Sequence, residues 1–283
     1  MSGPSVRTFF VTDNMKKNHS DTNYIEINRE SWNNRVDTHI KSAFYDQEAF
    51  LKGKSTLNDI ELKLLGDIKG KSILHLQCHF GQDSISMSRL DAKVTGVDFS
   101  DKAIEAAKTI AIETSSDTEF ICCDIYELEK FCDKQFDIVF TSYGTIGWLP
   151  DLDKWAGIID TFLKPGGSFV FAEFHPVVWM FDDNFDKVGY NYFKEGPIIE
   201  SESGTYADKN ADLSLKTVSW NHSLAEIFGA LLKKGLSIES FEEYDYSPYN
   251  CFAHTEEFEP GKFRIKHLGN RIPMVYALLA IKK

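Results

Sequence analysis

Three places in the chain put chemistry-bearing groups at the end of an apolar run. The first is Ile73–Ser84, ILHLQCHFGQDS, where an apolar run meets a turn closed by Gly81 and then a helical stretch. At such a junction unpaired backbone N–H groups and the positive end of the helix dipole face whatever binds there. The second is VTGVDFS, with Asp98 at its tip, about 20 residues beyond the turn. A carboxylate at that distance accepts hydrogen bonds from both hydroxyls of a ribose. It can equally cap the next helix, although Ser100 and Asp101 are placed for that task. The third is FICCDIYEL, with Asp124 at its tip. Its side chain can accept from the exocyclic amine of adenine while Phe99 and Ile125 sandwich the ring, or it too can be a cap.

These tips need a scaffold, and the rhythm after Gly70 supplies one. Strands are expected at Ser72–Leu76, Lys93–Val97, Glu119–Cys123, Phe136–Phe140 and Ser168–Glu173. Helical stretches at Asp83–Leu90, Asp101–Ile112, Tyr126–Phe131 and Leu152–Leu163 separate them. Near-continuous apolar strands alternating with helices predict a doubly wound, mostly parallel α/β sheet covered on both faces. Such sheets bind ligands beyond the C-terminal ends of their strands. Ahead of them, Trp32, Val36 and Ile40 recur every fourth residue, and Leu57, Ile60, Leu64 and Ile68 predict a second helix. Pro176–Ser219 breaks the rhythm with aromatics and turn residues. Asn221–Lys233 resumes as a helix ended by Gly235, and Ile238–Tyr246 and Met274–Ile281 read as the last two strands.

The fourth strand and its sequel make a more specific pattern. QFDIVFTSYGTIGWLPDL, a helix ending in LKPGG and the strand SFVFAEFHP resemble motifs of class I, Rossmann-like S-adenosylmethionine-dependent methyltransferases. The resemblance covers roughly Lys71–His175. It implies a seven-stranded sheet whose last strand is antiparallel, with N-terminal helices and an insertion after the fifth strand. It also implies S-adenosyl-L-methionine as methyl donor. The donor site it points to comprises Gln77, Cys78, His79, Gly81, Asp98, Phe99, Asp124, Ile125 and Thr141. The first turn departs from the family's D-L-G-C-G-x-G: His75 replaces the acidic residue, and Gln77 and His79 replace glycines. Glycine there lets backbone approach a ligand closely. The side chains of Gln77 and His79 therefore either contact the donor's methionyl end themselves or weaken its binding. G-x-G-x-x-G is absent, which argues against a nicotinamide dinucleotide.

Methyl transfer from a sulfonium depends largely on alignment, and a base is needed only if the acceptor must lose a proton. By position, His175 is the first candidate for that base; its alternative is a solvent-facing histidine before Pro176. Tyr143, Trp148, Trp179 and His222 are acceptor-side candidates. The aromatics can instead pack the core, and His222 can cap or lie exposed at a helix start. Glu173 and Trp220 fall in the same region. Arg35 can pair with the donor's carboxylate or lie on the surface.

Composition narrows the function. Lys plus Arg is 31 against 43 Asp plus Glu, a net charge of −12, so a nucleic-acid partner is not expected. Lys262, Arg264, Lys266 and Arg271 form a local basic group that reads best as solvated surface. The five cysteines include no C-x-x-C pair, and no metal site is expected. No leader and no apolar run of about 20 residues is seen, so a cytoplasmic protein without a membrane span is expected. The domain reading is a flexible stretch at residues 1–27 and one domain at 28–283. Within it lie a helical cover (28–70), a donor-binding core (71–175), a substrate-side insertion (176–220) and a C-terminal helix with two strands (221–283). The function expected is methyl transfer to a small molecule. A non-catalytic S-adenosylmethionine- or adenosine-binding regulator and a protein methyltransferase are the alternatives.

Overall fold

A computed structural model describes residues 23–283. Most of the stretch expected to be flexible lies outside the described residues, and the first helix already begins at Tyr24. Three helices precede the sheet: α1 (Tyr24–Lys41), α2 (Gln47–Leu51) and α3 (Asp59–Leu65). Strands and helices then alternate: β1 (Ser72–Leu76), α4 (Gln82–Ser88), β2 (Lys93–Asp98), α5 (Asp101–Glu113) and β3 (Glu119–Cys122). A 3-10 helix (Ile125–Lys130) leads to β4 (Phe136–Ser142), α6 (Leu152–Phe162) and β5 (Leu163–Phe174). Beyond them come the hairpin β6 (Ile198–Ser203) and β7 (Ser214–Ser219), then α7 (Leu224–Lys233) and β8 (Leu236–Tyr244). A second hairpin, β9 (Thr255–Glu259) and β10 (Lys262–Ile265), precedes β11 (Val275–Lys282).

The main sheet has seven strands in the order β3-β2-β1-β4-β5-β11-β8. From β3 to β5 all pairs are parallel, and β11 runs antiparallel to both β5 and β8. Strand order reverses between β1 and β4, so the crevice for a ligand lies beyond their C-terminal ends. The expected boundaries hold to within a few residues, with one informative difference. The Lys164–Gly167 turn lies inside β5, because Leu163 already pairs with Phe136 and pairing resumes at Ser168 opposite Ile138 after a register shift.

Burial explains the alternation. The β1 and β4 side chains Ile73, Leu74, Leu76, Val139 and Phe140 are buried on both sheet faces. On one face α6 contributes Leu152, Trp155, Ile159 and Phe162, and α7 contributes Ile227 and Leu231. Each such side chain contributes roughly 1.5–3 kcal/mol of apolar burial. On the other face Ile85 of α4 and Ile104, Ala107 and Ile110 of α5 pack with Phe80 and Phe120. The insertion after β5 is not structureless: its β6–β7 hairpin lies under α1. The Asn28 side chain continues the edge of β7, donating to Val218 O and accepting from Val218 N, both at 2.8 Å.

Candidate functional site

A cavity of about 910 Å³ opens beyond the C-terminal ends of β1, β2, β4 and β5. Its walls come from α1 and α2, the turn after β1, the loop after β4, the insertion after β5 and the segment after β8. That last contribution, through Tyr249, Cys251 and Phe252, was not foreseen.

The turn after β1 keeps the shape that glycines would give. Gln77 and His79 adopt φ of 56° and 51°, in the left-handed region, each at a cost on the order of 1 kcal/mol. Gly81 has φ of 80°, and a Cβ there would stand 2.5 Å from the Phe120 ring, so this position admits glycine alone. Gln77 Nε2 donates to Thr145 O at 2.9 Å, while its Oε1 is buried without a hydrogen-bond partner. His79 meets His39 of α1 at 3.0 Å between ring nitrogens, and Trp32 packs edge-on against it. Burial and the nearby Arg35 push His39 down to about 3, and burial also lowers His79, so both rings are neutral at physiological pH. His75 lies deeper, bonded to Ser84 Oγ at 2.8 Å and held neutral by burial. Cys78 is buried, and its N–H donates to Val97 O.

Asp98 lines the cavity at the tip of β2. It accepts from His79 N and Ser100 N, each at 2.9 Å, and burial raises its pKa to about 6. Ser100, not Asp98, caps α5 by accepting from Ala103 N. Phe99 lines the same wall, and its carbonyl accepts from Arg29 of α1. Asp124, by contrast, caps the following 3-10 helix through Tyr126 N. Neither it nor the buried Ile125 is among the cavity-lining residues. Thr141, expected in the donor site, is fully buried, bonds Leu76 O and is not among the cavity-lining residues.

On the acceptor side, Tyr143, Trp148 and Trp179 line the cavity, whereas His175 and His222 do not. His175 turns towards β8, with Nε2 at 2.9 Å from Glu243 and Nδ1 accepting from Val177 N. His222 is buried below α7, between Leu149 O at 2.8 Å and Glu226 at 3.1 Å. Arg35 is buried and not on the surface, and it lines the cavity: it bonds Ser31 and Glu202 and lies over the Trp32 ring, while its Nε has no hydrogen-bond partner. The Trp148 indole donates to Gly144 O, and Trp179 packs edge-on to Phe174.

Glu173, at the end of β5, fixes the loop that carries Tyr143 and Trp148. Its carboxylate accepts from the backbone N–H groups of Gly144, Thr145, Ile146 and Phe174 and from the Thr145 hydroxyl. Beside that loop stands a polar group that the sequence did not single out. Asp83 accepts from Thr56 Oγ1 at 2.5 Å, and Glu61 of α3 accepts from the Tyr143 hydroxyl at 2.8 Å. The acidic first turn of α4 and the N-x-x-E cap of α3 were the available signals. Both read locally as helix-start features.

Among the described residues, no cluster of three or more His, Cys, Asp or Glu is placed to hold a metal, and no helix is long and apolar enough to cross a membrane. The basic group is engaged locally: Lys262 pairs with Glu259, and Arg264 stacks on Phe258.

Residues 73–167 match a family described as "Methyltransferase domain". The chain is 26% identical over 137 residues to a ubiquinone biosynthesis O-methyltransferase of Bordetella avium, covering 47% of this chain and 56% of that protein. To the Coxiella burnetii protein of the same name it is 30% identical over 125 residues, covering 43% and 53%. The chain thus spans about half the length of these curated relatives. Among solved structures, an S-adenosylmethionine-dependent methyltransferase from Mesorhizobium loti superposes with a TM-score of 0.56 at 19% identity, covering 82% of this chain and 100% of that one. A putative one from Listeria monocytogenes gives 0.55 at 21%, covering 79% and 96%. Residues 73–167 thus match a methyltransferase domain, and the seven strands in this order give the chain the fold of class I, Rossmann-like methyltransferases.

Proposed function

We propose that the protein transfers a methyl group from S-adenosylmethionine to a small-molecule acceptor bound in the same cleft. The observation that carries this reading is the turn after β1. It holds left-handed geometry at two non-glycine residues and carries a buried, unpartnered amide oxygen, Gln77 Oε1, on a residue that lines the same cavity as Asp98. Strain of this kind persists where surrounding structure and function require it. Asp98 would hold the ribose hydroxyls, and the Gln77–Gly81 turn the methionyl end, with Gln77 Oε1 accepting from the ammonium. Phe99, on the same wall of the cavity as Asp98, would pack against the adenine ring. The donor supplies an activated methyl group. The protein's part is to align the acceptor and exclude water.

Cover by α1, the β6–β7 hairpin and the segment after β8 favours a small acceptor over a protein tail. The relatives' names point the same way, each being an O-methyltransferase of ubiquinone biosynthesis. Isothermal titration with S-adenosylhomocysteine, S-adenosylmethionine and NAD tests the donor. Heat with both sulfur ligands and none with NAD is expected. Folded protein that gives no heat with either sulfur ligand at millimolar concentration overturns the reading.

A further inference from the structure

Beyond β4, on the acceptor side of the cleft, Tyr143 stands at φ of 39°, in the left-handed region. Its hydroxyl crosses to α3 and donates to Glu61 Oε2 at 2.8 Å. Glu61 is fully buried, and its other oxygen accepts from Asn58 N at 2.7 Å and Asn58 Nδ2 at 3.0 Å. Asn58 Nδ2 also donates to the Tyr249 hydroxyl at 2.8 Å. Tyr143 and Tyr249 line the cavity and meet edge to face at 5.1 Å, with Phe174 5.6 Å from Tyr143. Glu61 sits directly behind them. A helix cap alone needs neither the burial of this carboxylate nor a strained tyrosine bonded to it.

We propose that Tyr143 and Glu61 form the proton-accepting pair for a phenolic acceptor. Tyr143 touches the acceptor oxygen, and Glu61 takes the proton through it. The inference rests on the methyl-transfer reading above. The acceptor oxygen bonds to the donor's methyl carbon as the carbon–sulfur bond breaks, and sulfur keeps that electron pair. The acceptor's proton passes to Tyr143 Oη while Tyr143's own proton passes to Glu61 Oε2. The sulfonium and carboxylate charges are thereby neutralised together.

Three features support the pair. Aromatic edges at these spacings suit a flat ring. Burial and the neighbouring Asp83 carboxylate raise Glu61 to about 7, where a base works best near neutral pH. A phenol, ionising near ~10, is within reach of such a base, whereas an aliphatic alcohol is not. The groups facing Glu61 are Asp83 of α4, Tyr143 of the loop after β4 and Tyr249 of the segment after β8. Among the described residues no Lys or Arg pairs with it, so taking up a proton relieves its repulsion from Asp83.

The test uses the full chain loaded with S-adenosylhomocysteine and titrated with 4-nitrophenol above pH ~8, where Glu61 and the free probe are both ionised. Calorimetry in buffers of different ionisation enthalpy should show uptake of about one proton per probe bound, held between the two oxygens through Tyr143. Glu61→Gln, which keeps an acceptor for the Asn58 bonds, should abolish the uptake, and Tyr143→Phe should do the same. Both variants should bind S-adenosylhomocysteine as the parent does, which also shows that they fold. Any phenol the parent methylates should lose about 10²-fold in kcat in either variant, with KM little changed. A probe that fails to bind, a parent that binds it without proton uptake, or a Glu61→Gln protein that still takes up the proton overturns the pair. Absence of S-adenosylhomocysteine binding would instead overturn the donor reading and is seen separately.

Discussion

Two carboxylates, one at the tip of β2 and one at the end of β5, are equally well buried yet do different work. Asp98 accepts two backbone N–H groups, faces the cavity and has its pKa pushed up to about 6. Glu173 accepts four backbone N–H groups and a hydroxyl. The first carboxylate is under-coordinated and keeps capacity for a ligand's hydroxyls. The second is saturated and spends its charge on holding a strained loop. Burial alone therefore does not mark a binding residue; unused hydrogen-bonding capacity that faces a cavity does.

Removing the saturated carboxylate should have the largest effect. Glu173→Ala strands four backbone donors and should cost about 3–5 kcal/mol of stability, read by urea unfolding. If the loss is below about 1 kcal/mol, Glu173 is not the anchor of the Tyr143–Trp148 loop, and the contrast with Asp98 fails. Asp98→Ala should do the reverse. Binding of S-adenosylhomocysteine should weaken by about 1–3 kcal/mol, and stability should fall by less than in Glu173→Ala. An unchanged dissociation constant would mean that Asp98 only braces the turn.

The same contrast predicts a pH dependence. Ribose hydroxyls donate to the ionised form of Asp98, so binding favours loss of its proton. Affinity for S-adenosylhomocysteine should thus be full above about pH 6 and fall as pH drops through that value, with proton release on binding near it. Stability should move the other way on this group's account. The unfolded side chain ionises near 3.8 and the folded one near 6. Between those values the folded state holds more protons and loses stability as pH rises. Asp98→Asn should flatten both trends; an affinity that stays level from pH 5 to pH 8 in the parent would remove Asp98 from the ribose site. The smallest effect belongs to Gln77. Gln77→Gly relieves a positive φ, gaining about 1 kcal/mol, but loses the bond to Thr145, so stability should change little. Binding of S-adenosylhomocysteine should weaken by about 1 kcal/mol, while binding of adenosine should not change. Equal changes for both ligands would place Gln77 away from the methionyl end.

Several of these residues could be read before any coordinates. Apolar runs ending in Asp98, Asp124 and LKPGG predicted the alternating strands and helices, because a buried parallel strand must be apolar on both faces and its ligand-facing group must follow at the tip. The turn's departure from glycine was equally visible as Gln77 and His79. His175 was misplaced because position after a strand says where the backbone goes, not which way a side chain turns; its ring is held towards β8 by Glu243 and by Val177 N.

Sequence by itself determined the layered sheet, the order of its elements and the turn after β1, since each follows from local periodicity and short-range spacing. Tertiary structure alone decided which distant groups meet. Glu61 and Tyr143 are 82 residues apart and Asn28 and Val218 are 190 apart, yet each pair shares a hydrogen bond. Such partners carry no mutual signal in a single chain, because a capping glutamate and an edge asparagine are each satisfied by a local reading until packing brings a second element against them.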